Sequence, residues 1–364
     1  MNRSQAQQQL LHSLPFVSTF PYKLANMDPN LAHIAVTRNL NLSYTDVFPG
    51  YLTSYTCRIS GLSIISEMEV PGVAPVPVPA GSEDVRIRRR PVPEYLKEAT
   101  TRGPVWELDE RRFLLRLPGI GRFLASDGHT LDMDPDPGTD PKDAMPFLLG
   151  TGFGALLLQR GGLVLHAASV AVDGRAYVFC GRSGIGKSTL AAALCNAGCL
   201  FVNDDVCAVG SNETCTPVLW PDGRQLKLFE ESIARLDLDS RRRGVVRAGT
   251  GKHYVEPPLA KKGGLGADVP VPLAAVYVLR DQTLPNEGGI EQLSPLNGAQ
   301  ALLNESYRPR LDLAMARGSR QVAVTAAILG HAPIFRLTRP RDLRGLADTA
   351  AELKAHWRGL AGNP

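Results

Sequence analysis

Gly181, Gly186, Lys187 and Ser188 stand at the spacing G-x-x-x-x-G-K-[ST], and nothing else in the chain restricts its fold as much. The flanks suit the spacing. Ala176, Tyr177, Val178, Phe179 and Cys180 form an apolar run that predicts a buried strand. Residues 188–197, rich in Ala and Leu and followed by Gly198, predict a helix with a glycine just past its end. In a strand–glycine loop–helix unit, backbone N–H groups turn inward around a polyphosphate, and the helix N-terminus adds positive potential. Gly181, Ser183, Gly184, Ile185, Gly186, Lys187, Ser188 and Thr189 are then the candidate nucleotide-binding residues. Lys187 is expected on the β- and γ-phosphates, and the Ser188 hydroxyl on Mg²⁺. ATP and Mg²⁺ are the expected cofactors.

A second strand-like run, Cys199, Leu200, Phe201, Val202 and Asn203, ends in Asp204 and Asp205. Lys187 and Asp204 leave room for one short helix between the strands, so the strands are expected to be parallel. The carboxylates then emerge beside the glycine loop, at the sheet edge where ligands gather in open α/β folds. One Asp can hold the metal, directly or through water, and the other can take a proton from an attacking hydroxyl. Two adjacent carboxylates so soon after the loop suit transfer to an alcohol.

Upstream, residues 161–172 read as a strand carrying His166, followed by a turn at Asp173 and Gly174. An Asp-Gly pair between two apolar runs predicts a hairpin. A lone His in an apolar strand is usually a core residue. If it faces the site, it can contact the γ-phosphate or tune the catalytic Asp.

Taken together, Leu165-His166-Ala167, the loop over residues 181–189, the short helix and Val202-Asn203-Asp204-Asp205 resemble the catalytic domain of HPr kinase/phosphorylase. That family shares its nucleotide-binding core with phosphoenolpyruvate carboxykinase. The resemblance implies an α/β fold: a P-loop kinase core of this type with a small β-rich N-terminal domain. It implies His166 as the active-site histidine, Lys187 as the phosphate lysine and Ser188 as a metal ligand. It further implies Asp204 as the general base and Asp205 as a second acidic group near the metal. The match is close over about residues 160–210. The family's later E-[IL]-R-G-[IL]-G signature is missing, and residues 219–229 read LWPDGRQLKLF instead. The resemblance therefore does not carry HPr itself across as the acceptor. The text at residues 147–166 and 322–346 is similar to divergent HPr-kinase-like proteins of the lasso-peptide type, which phosphorylate a serine of a precursor peptide. A peptide or protein substrate bearing Ser is the expected partner. A small-molecule kinase and a non-catalytic, nucleotide-dependent binding module remain the alternatives. The family forms oligomers, so the resemblance also implies a homo-oligomer.

With 364 residues, 44% hydrophobic and 21% charged, the chain is long enough for two domains with a sizeable core. A formal charge of +4 is too mild to argue for nucleic acid. No apolar run reaches the roughly 18–20 residues of a membrane span, and the first residues lack the basic-then-apolar order of a secretory signal. No membrane partner and a cytoplasmic location are expected. The 6 cysteines show no C-x-x-C pairing and read as buried reduced thiols.

Three segments are expected: an arm over residues 1–45, a small, mainly β domain over 46–145, and the kinase domain over 146–364. Residues 62–66 and 113–117 read as strands. Residues 71–93 hold six prolines and are expected to be an extended loop or edge. Residues 132–141, rich in Asp and Pro, are expected to link the domains. Residues 241–252 form a basic, glycine-containing segment, expected either as a solvated loop or as a flap whose Arg247 and Lys252 stabilise the transferring phosphoryl. Residues 272–279 read as a buried strand. Over 342–360, Leu343, Leu346, Ala350, Leu353, Trp357 and Leu360 recur at helical spacing, so Trp357 is expected to pack in the core.

Overall fold

Short runs with alternating burial build a first sheet. Its strands are β1 (Tyr55–Ile59), β2 (Leu62–Ser66), β3 (Val85–Arg89), β4 (Thr101–Arg102), β5 (Trp106–Leu108), β6 (Arg112–Leu117), β7 (Gly121–Ser126) and β8 (Thr130–Pro135). They lie in the order β1-β2-β3-β8-β7-β6-β5-β4. This is a computed structural model, and it describes residues 54–79, 81–258, 269–284, 287–315 and 319–361; the arm expected over residues 1–45 lies outside them.

Two expectations from the prolines fail here. Residues 85–89 fall in a proline-free stretch of the proline-rich segment and form an interior strand, since β3 pairs in parallel with both β2 and β8. Residues 132–135 are not linker. They belong to β8, where Asp132 takes a two-pronged ion pair from Arg88 at 2.7 Å and 2.8 Å. An aspartate can sit in an interior strand because a cross-strand arginine satisfies it.

Helix α1 (Pro141–Phe147) starts on Asp140, whose carboxylate accepts from the Lys142 N–H. A π-helical stretch, Leu148–Gly152, leads into helix α2 (Phe153–Gln159). Leu148, Phe153 and Leu156 bury against Ile64, Ile87, Phe113, Phe123 and Leu131 of the first sheet, and the same cluster continues to Val164, Val206 and Tyr307. The described residues form one compact unit.

The second sheet contains β9 (Leu163–Leu165), β10 (Ala167–Val172), β11 (Arg175–Cys180), β12 (Leu200–Asp204), β13 (Cys207–Ser211), β14 (Pro217–Leu219), β18 (Val271–Asp281), β19 (Gly289–Gln292) and β20 (Ile334–Arg339). β10 and β11 form the expected hairpin. Asp173 at φ 50° and Gly174 at φ 71° give both turn residues the left-handed backbone a type I′ turn needs. β12 and β11 run parallel, as expected, but β10 lies between them, antiparallel to each. The run read as one strand through His166 is in fact two, since β9 pairs with β13 and β10 with β11 and β12. His166 is the joint between them.

Helix α3 (Lys187–Asn196) follows the glycine loop, and Gly198 at φ 96° ends it. A three-stranded sheet of β15 (Leu226–Phe229), β16 (Arg242–Val245) and β17 (Lys252–Val255) in the order β15-β17-β16 covers one side of the loop. The basic segment is therefore partly strand. Its half-buried Arg242 and exposed Arg243 find carboxylates, on Glu230 at 2.7 Å and on Glu256 at 2.6 Å. Helix α4 (Glu230–Arg235) follows β15 directly. Helices α5 (Pro295–Asn304), α6 (Pro309–Met315) and α7 (Ser319–His331) precede β20. The terminal helix, α8 (Leu346–Ala361), buries Leu346, Ala350, Leu353 and Trp357. Trp357 stacks on Tyr177 at 4.0 Å between ring centres, and its indole N–H donates to Tyr277 Oη at 3.0 Å. It packs in the core as its spacing predicts. The protein is thus a mixed α/β fold, and among the described residues no helix is long and apolar enough to cross a membrane.

Candidate functional site

Strand register decides what meets at the sheet edge. Ala167 stands opposite Cys180 and Ala168 opposite Asp204, so β11 and β12 end together beside the start of β10. His166 immediately precedes that start. Asp281 of β18 stands opposite Arg339 of β20, and both strands run parallel to β11. One edge therefore gathers the glycine loop, His166, the Asp204-Asp205 pair and Arg339. They line a cleft of about 490 Å³ that also takes in Lys227, Phe229, Ser232, Lys252 and Arg341.

The glycine loop curls because Gly181, Gly184 and Gly186 have φ of 144°, 79° and 92°. Lys187 Nζ donates to Gly181 O at 2.6 Å and to Arg182 O at 3.2 Å, which closes the loop on itself. Burial lowers the pKa of Lys187, while the nearby acids Asp204, Glu305 and Asp205 pull it the other way. Ser188 Oγ donates to Asp204 Oδ1 at 2.7 Å. Thr189 Oγ1 meets Ser232 Oγ at 3.0 Å, fixing the first turn of α3 against α4.

Asp205 differs from its neighbour. Its backbone is left-handed at φ 78°. Its carboxylate lies 3.1 Å from Lys227 Nζ and 3.3 Å from His166 Nδ1. Burial alone would raise its pKa, but Lys227, His166 and Arg224 together hold it well below the usual carboxylate range. Lys227 is drawn down by burial and more than restored by Asp205, so it stays charged.

Ser188 Oγ and the Asp204 carboxylate are hard oxygen donors side by side at the loop. They fit Mg²⁺, which takes one or two protein oxygens and fills the rest of its octahedron with phosphates and water. No group of three or more His, Cys, Asp or Glu residues placed to hold a metal occurs among the described residues.

Of the expected site residues, the structure brings together His166, residues 183–189, Asp204, Asp205 and Lys252 around the cleft. Gly181 does not line the cleft; its carbonyl accepts from Lys187 Nζ and so anchors the lysine that does. Lys252 is held 4.9 Å above the Phe229 ring. Arg247 needs correcting, because it does not line the cleft. Its guanidinium lies 5.1 Å over the ring of Phe147, the last residue of α1.

Lys227, Arg339 and Arg341 escaped the sequence reading. Arg339 is buried and donates to Ile185 O at 3.0 Å, bracing the loop from behind, and burial lowers its pKa. The available signal was a basic pair around Pro340 at the end of a strand. A Cβ on Gly186 would lie 2.8 Å from Arg339 Nη2 in a backbone that L-residues avoid. Gly186→Ala is expected to weaken ATP binding at least about tenfold by calorimetry, because the loop and Arg339 cannot both keep their places. Gly198→Ala, also at positive φ but with nothing within 4 Å, is expected to leave ATP affinity unchanged.

No protein-family model and no curated protein matches this sequence. Among solved structures, the chain is similar to the HPr(Ser) kinase/phosphatase from Coxiella burnetii, with 16% identity and a TM-score of 0.31 over 55% of this chain and 99% of that one. So loose a superposition carries no residue roles across.

Proposed function

We propose that this protein is a Mg²⁺-dependent kinase that transfers the γ-phosphoryl of ATP to a hydroxyl, with a serine of a peptide or protein as acceptor. One observation carries the reading. The Ser188 hydroxyl at the mouth of a positive-φ glycine loop lies 2.7 Å from an acidic residue whose neighbour holds a histidine. Phosphate, metal and proton-accepting functions thus share one cleft, of a size suited to a nucleotide.

Lys187 and the backbone N–H groups over residues 183–189 bind the β- and γ-phosphates. Mg²⁺, when bound, neutralises charge on those phosphates. Ser188 and a carboxylate hold it. The remaining carboxylate and the His166 beside it orient the acceptor hydroxyl and together take its proton. Lys252 and Arg341 add positive charge at the open side of the cleft, where a transferring phosphoryl gains from it. The P-loop core itself is supported by the loop's backbone angles and by the strand that feeds it. The serine acceptor, and a ribosomally made precursor peptide of the lasso type as its source, rest on the resemblance to the HPr-kinase-like proteins.

The test is γ-labelled ATP with Mg²⁺, the purified protein and a host extract split into peptide, protein and small-molecule fractions. Label in a peptide or protein, present as phosphoserine, is the expected result. Label confined to small molecules makes the enzyme a metabolite kinase. ATP bound without turnover in any fraction leaves only a nucleotide-dependent binding module.

A further inference from the structure

Asp204 and Asp205 are adjacent in sequence but face different partners. Asp204 ends β12, is buried, and accepts from Ser188 Oγ through Oδ1 at 2.7 Å. Asp205 follows in left-handed backbone at φ 78°, which turns its side chain to another set of groups. Its Oδ1 lies 3.3 Å from His166 Nδ1, and its Oδ2 accepts from Lys227 Nζ at 3.1 Å. His166 Nδ1 also lies 3.0 Å from the Asp205 carbonyl oxygen.

Lys227 touches both aspartates. Its backbone N–H donates to Asp204 Oδ2 at 3.1 Å, and its ammonium takes Asp205 Oδ2 at the same distance. It is largely buried on β15, with its side chain 13% exposed, so the ammonium has little solvent to turn to. A fixed cation on Asp205 repels a divalent cation from that carboxylate. Asp204 accepts from the Lys227 backbone amide but is not its ion-pair partner, so its carboxylate charge is left for a metal beside Ser188.

We propose that Lys227 is a positioning residue that divides the labour of the two carboxylates. Asp204 with Ser188 forms the metal side, and Asp205 with His166 forms the acceptor side. This rests on the kinase reading and reverses the roles expected from sequence, where Asp204 was the base and Asp205 stood near the metal. In the transfer, the acceptor oxygen forms a bond to the γ-phosphorus as the bond from that phosphorus to the β–γ bridging oxygen breaks. ADP leaves with the electron pair of the broken bond. The acceptor's proton goes to the Asp205–His166 pair, at His166 Nε2, because Nδ1 faces the Asp205 carbonyl oxygen and carboxylate as a donor.

The test reads metal binding separately from transfer. Mn²⁺ affinity and stoichiometry are measured by the loss of the free-ion EPR signal. The samples contain full-length protein and a non-hydrolysable ATP analogue. Asp204→Asn is expected to weaken Mn²⁺ binding at least about tenfold, whereas Asp205→Asn stays within about threefold of wild type. Lys227→Met is expected to admit a second Mn²⁺, because Asp205 is then an unpaired carboxylate, and Lys227→Arg is expected to restore a single equivalent. On the acceptor labelled by the wild type, Asp205→Asn is expected to transfer about 100-fold more slowly. Equal or greater loss of Mn²⁺ affinity in Asp205→Asn than in Asp204→Asn overturns the division. So does an unchanged Mn²⁺ stoichiometry in Lys227→Met that melts like the wild type. If Lys227→Met does not fold, the two asparagine variants decide alone. Wild type that labels nothing removes the kinase reading, while the Mn²⁺ pattern still decides which carboxylate serves the metal.

Discussion

Arg224→Met is expected to destabilise the protein by about 3–5 kcal/mol, as a shift of the urea midpoint at constant slope. Arg224 Nε donates to Asp222 Oδ2 at 2.6 Å, and the two side chains are 4% and 0% exposed. The guanidinium also donates to Leu149 O at 2.9 Å and to Val206 O at 3.3 Å. Asp222 accepts in turn from Ser60 Oγ at 3.4 Å, and its N–H donates to Val202 O at 2.8 Å. One buried pair thus ties the β1–β2 turn, the π-helical stretch before α2 and the turn that carries Asp205. Methionine fills much of the same space but leaves a buried carboxylate without its ion-pair partner and withdraws the guanidinium donors from the Leu149 and Val206 carbonyls. Asp222→Asn combined with Arg224→Met is expected to recover part of the loss, because the uncompensated charge is then gone. The pH dependence has a defined sign. Burial raises Asp222 above its ordinary value even with Arg224 beside it, and more so without it. A carboxyl with a raised folded pKa favours the folded state while protonated, and that stability is lost as pH rises through the folded value. The deficit of Arg224→Met should therefore shrink in acid and grow towards neutrality. A deficit that is flat with pH, or below about 1 kcal/mol, would mean that the pair is not what joins these segments.

How much of this was legible in the sequence depended on the range of the interactions involved. The glycine loop, its strand and its helix are local, with positive-φ glycines and an Ala-rich turn set within a few residues of each other. They stand within a residue or two of where spacing put them. The hairpin at Asp173-Gly174 was legible for the same reason. His166 was expected inside a strand but stands between two, and nothing local says that the chain changes partners there, because β13 is what takes β9 away from β10. Asp132 looked like linker because its arginine lies on another strand. Lys227 carried no local signal, because its importance comes from a contact 22 positions away in sequence. Arg247 shows the reverse. Its neighbourhood of basic residues and glycines suggested a flap, yet Phe147 from the far side of the chain holds it elsewhere. In each failure a long-range partner overruled a local pattern.

Lys187→Met is expected to slow phosphoryl transfer by about 100- to 1,000-fold and to weaken MgATP binding, with the fold left intact. Lys187 is 6% exposed and has no carboxylate in contact; both of its hydrogen bonds run to carbonyls of its own loop. Its charge is therefore poorly compensated, which is why burial lowers its pKa. An incoming polyphosphate supplies the anion that this buried ammonium lacks, so the strain on the free lysine favours the bound state. Methionine keeps the buried aliphatic stem, so the melting temperature should change by only a few degrees. Arginine is not a conservative replacement. Its guanidinium is wider than an ammonium and has no room where Nζ sits 2.6 Å from Gly181 O, so Lys187→Arg should fail as well. The informative comparison is between binding and rate. If Lys187 met only ground-state phosphate, Lys187→Met would raise KM and leave kcat alone; contact with the transferring group lowers kcat as well. Wild-type labelling of the acceptor by Lys187→Met would show that this loop does not hold the phosphates that react.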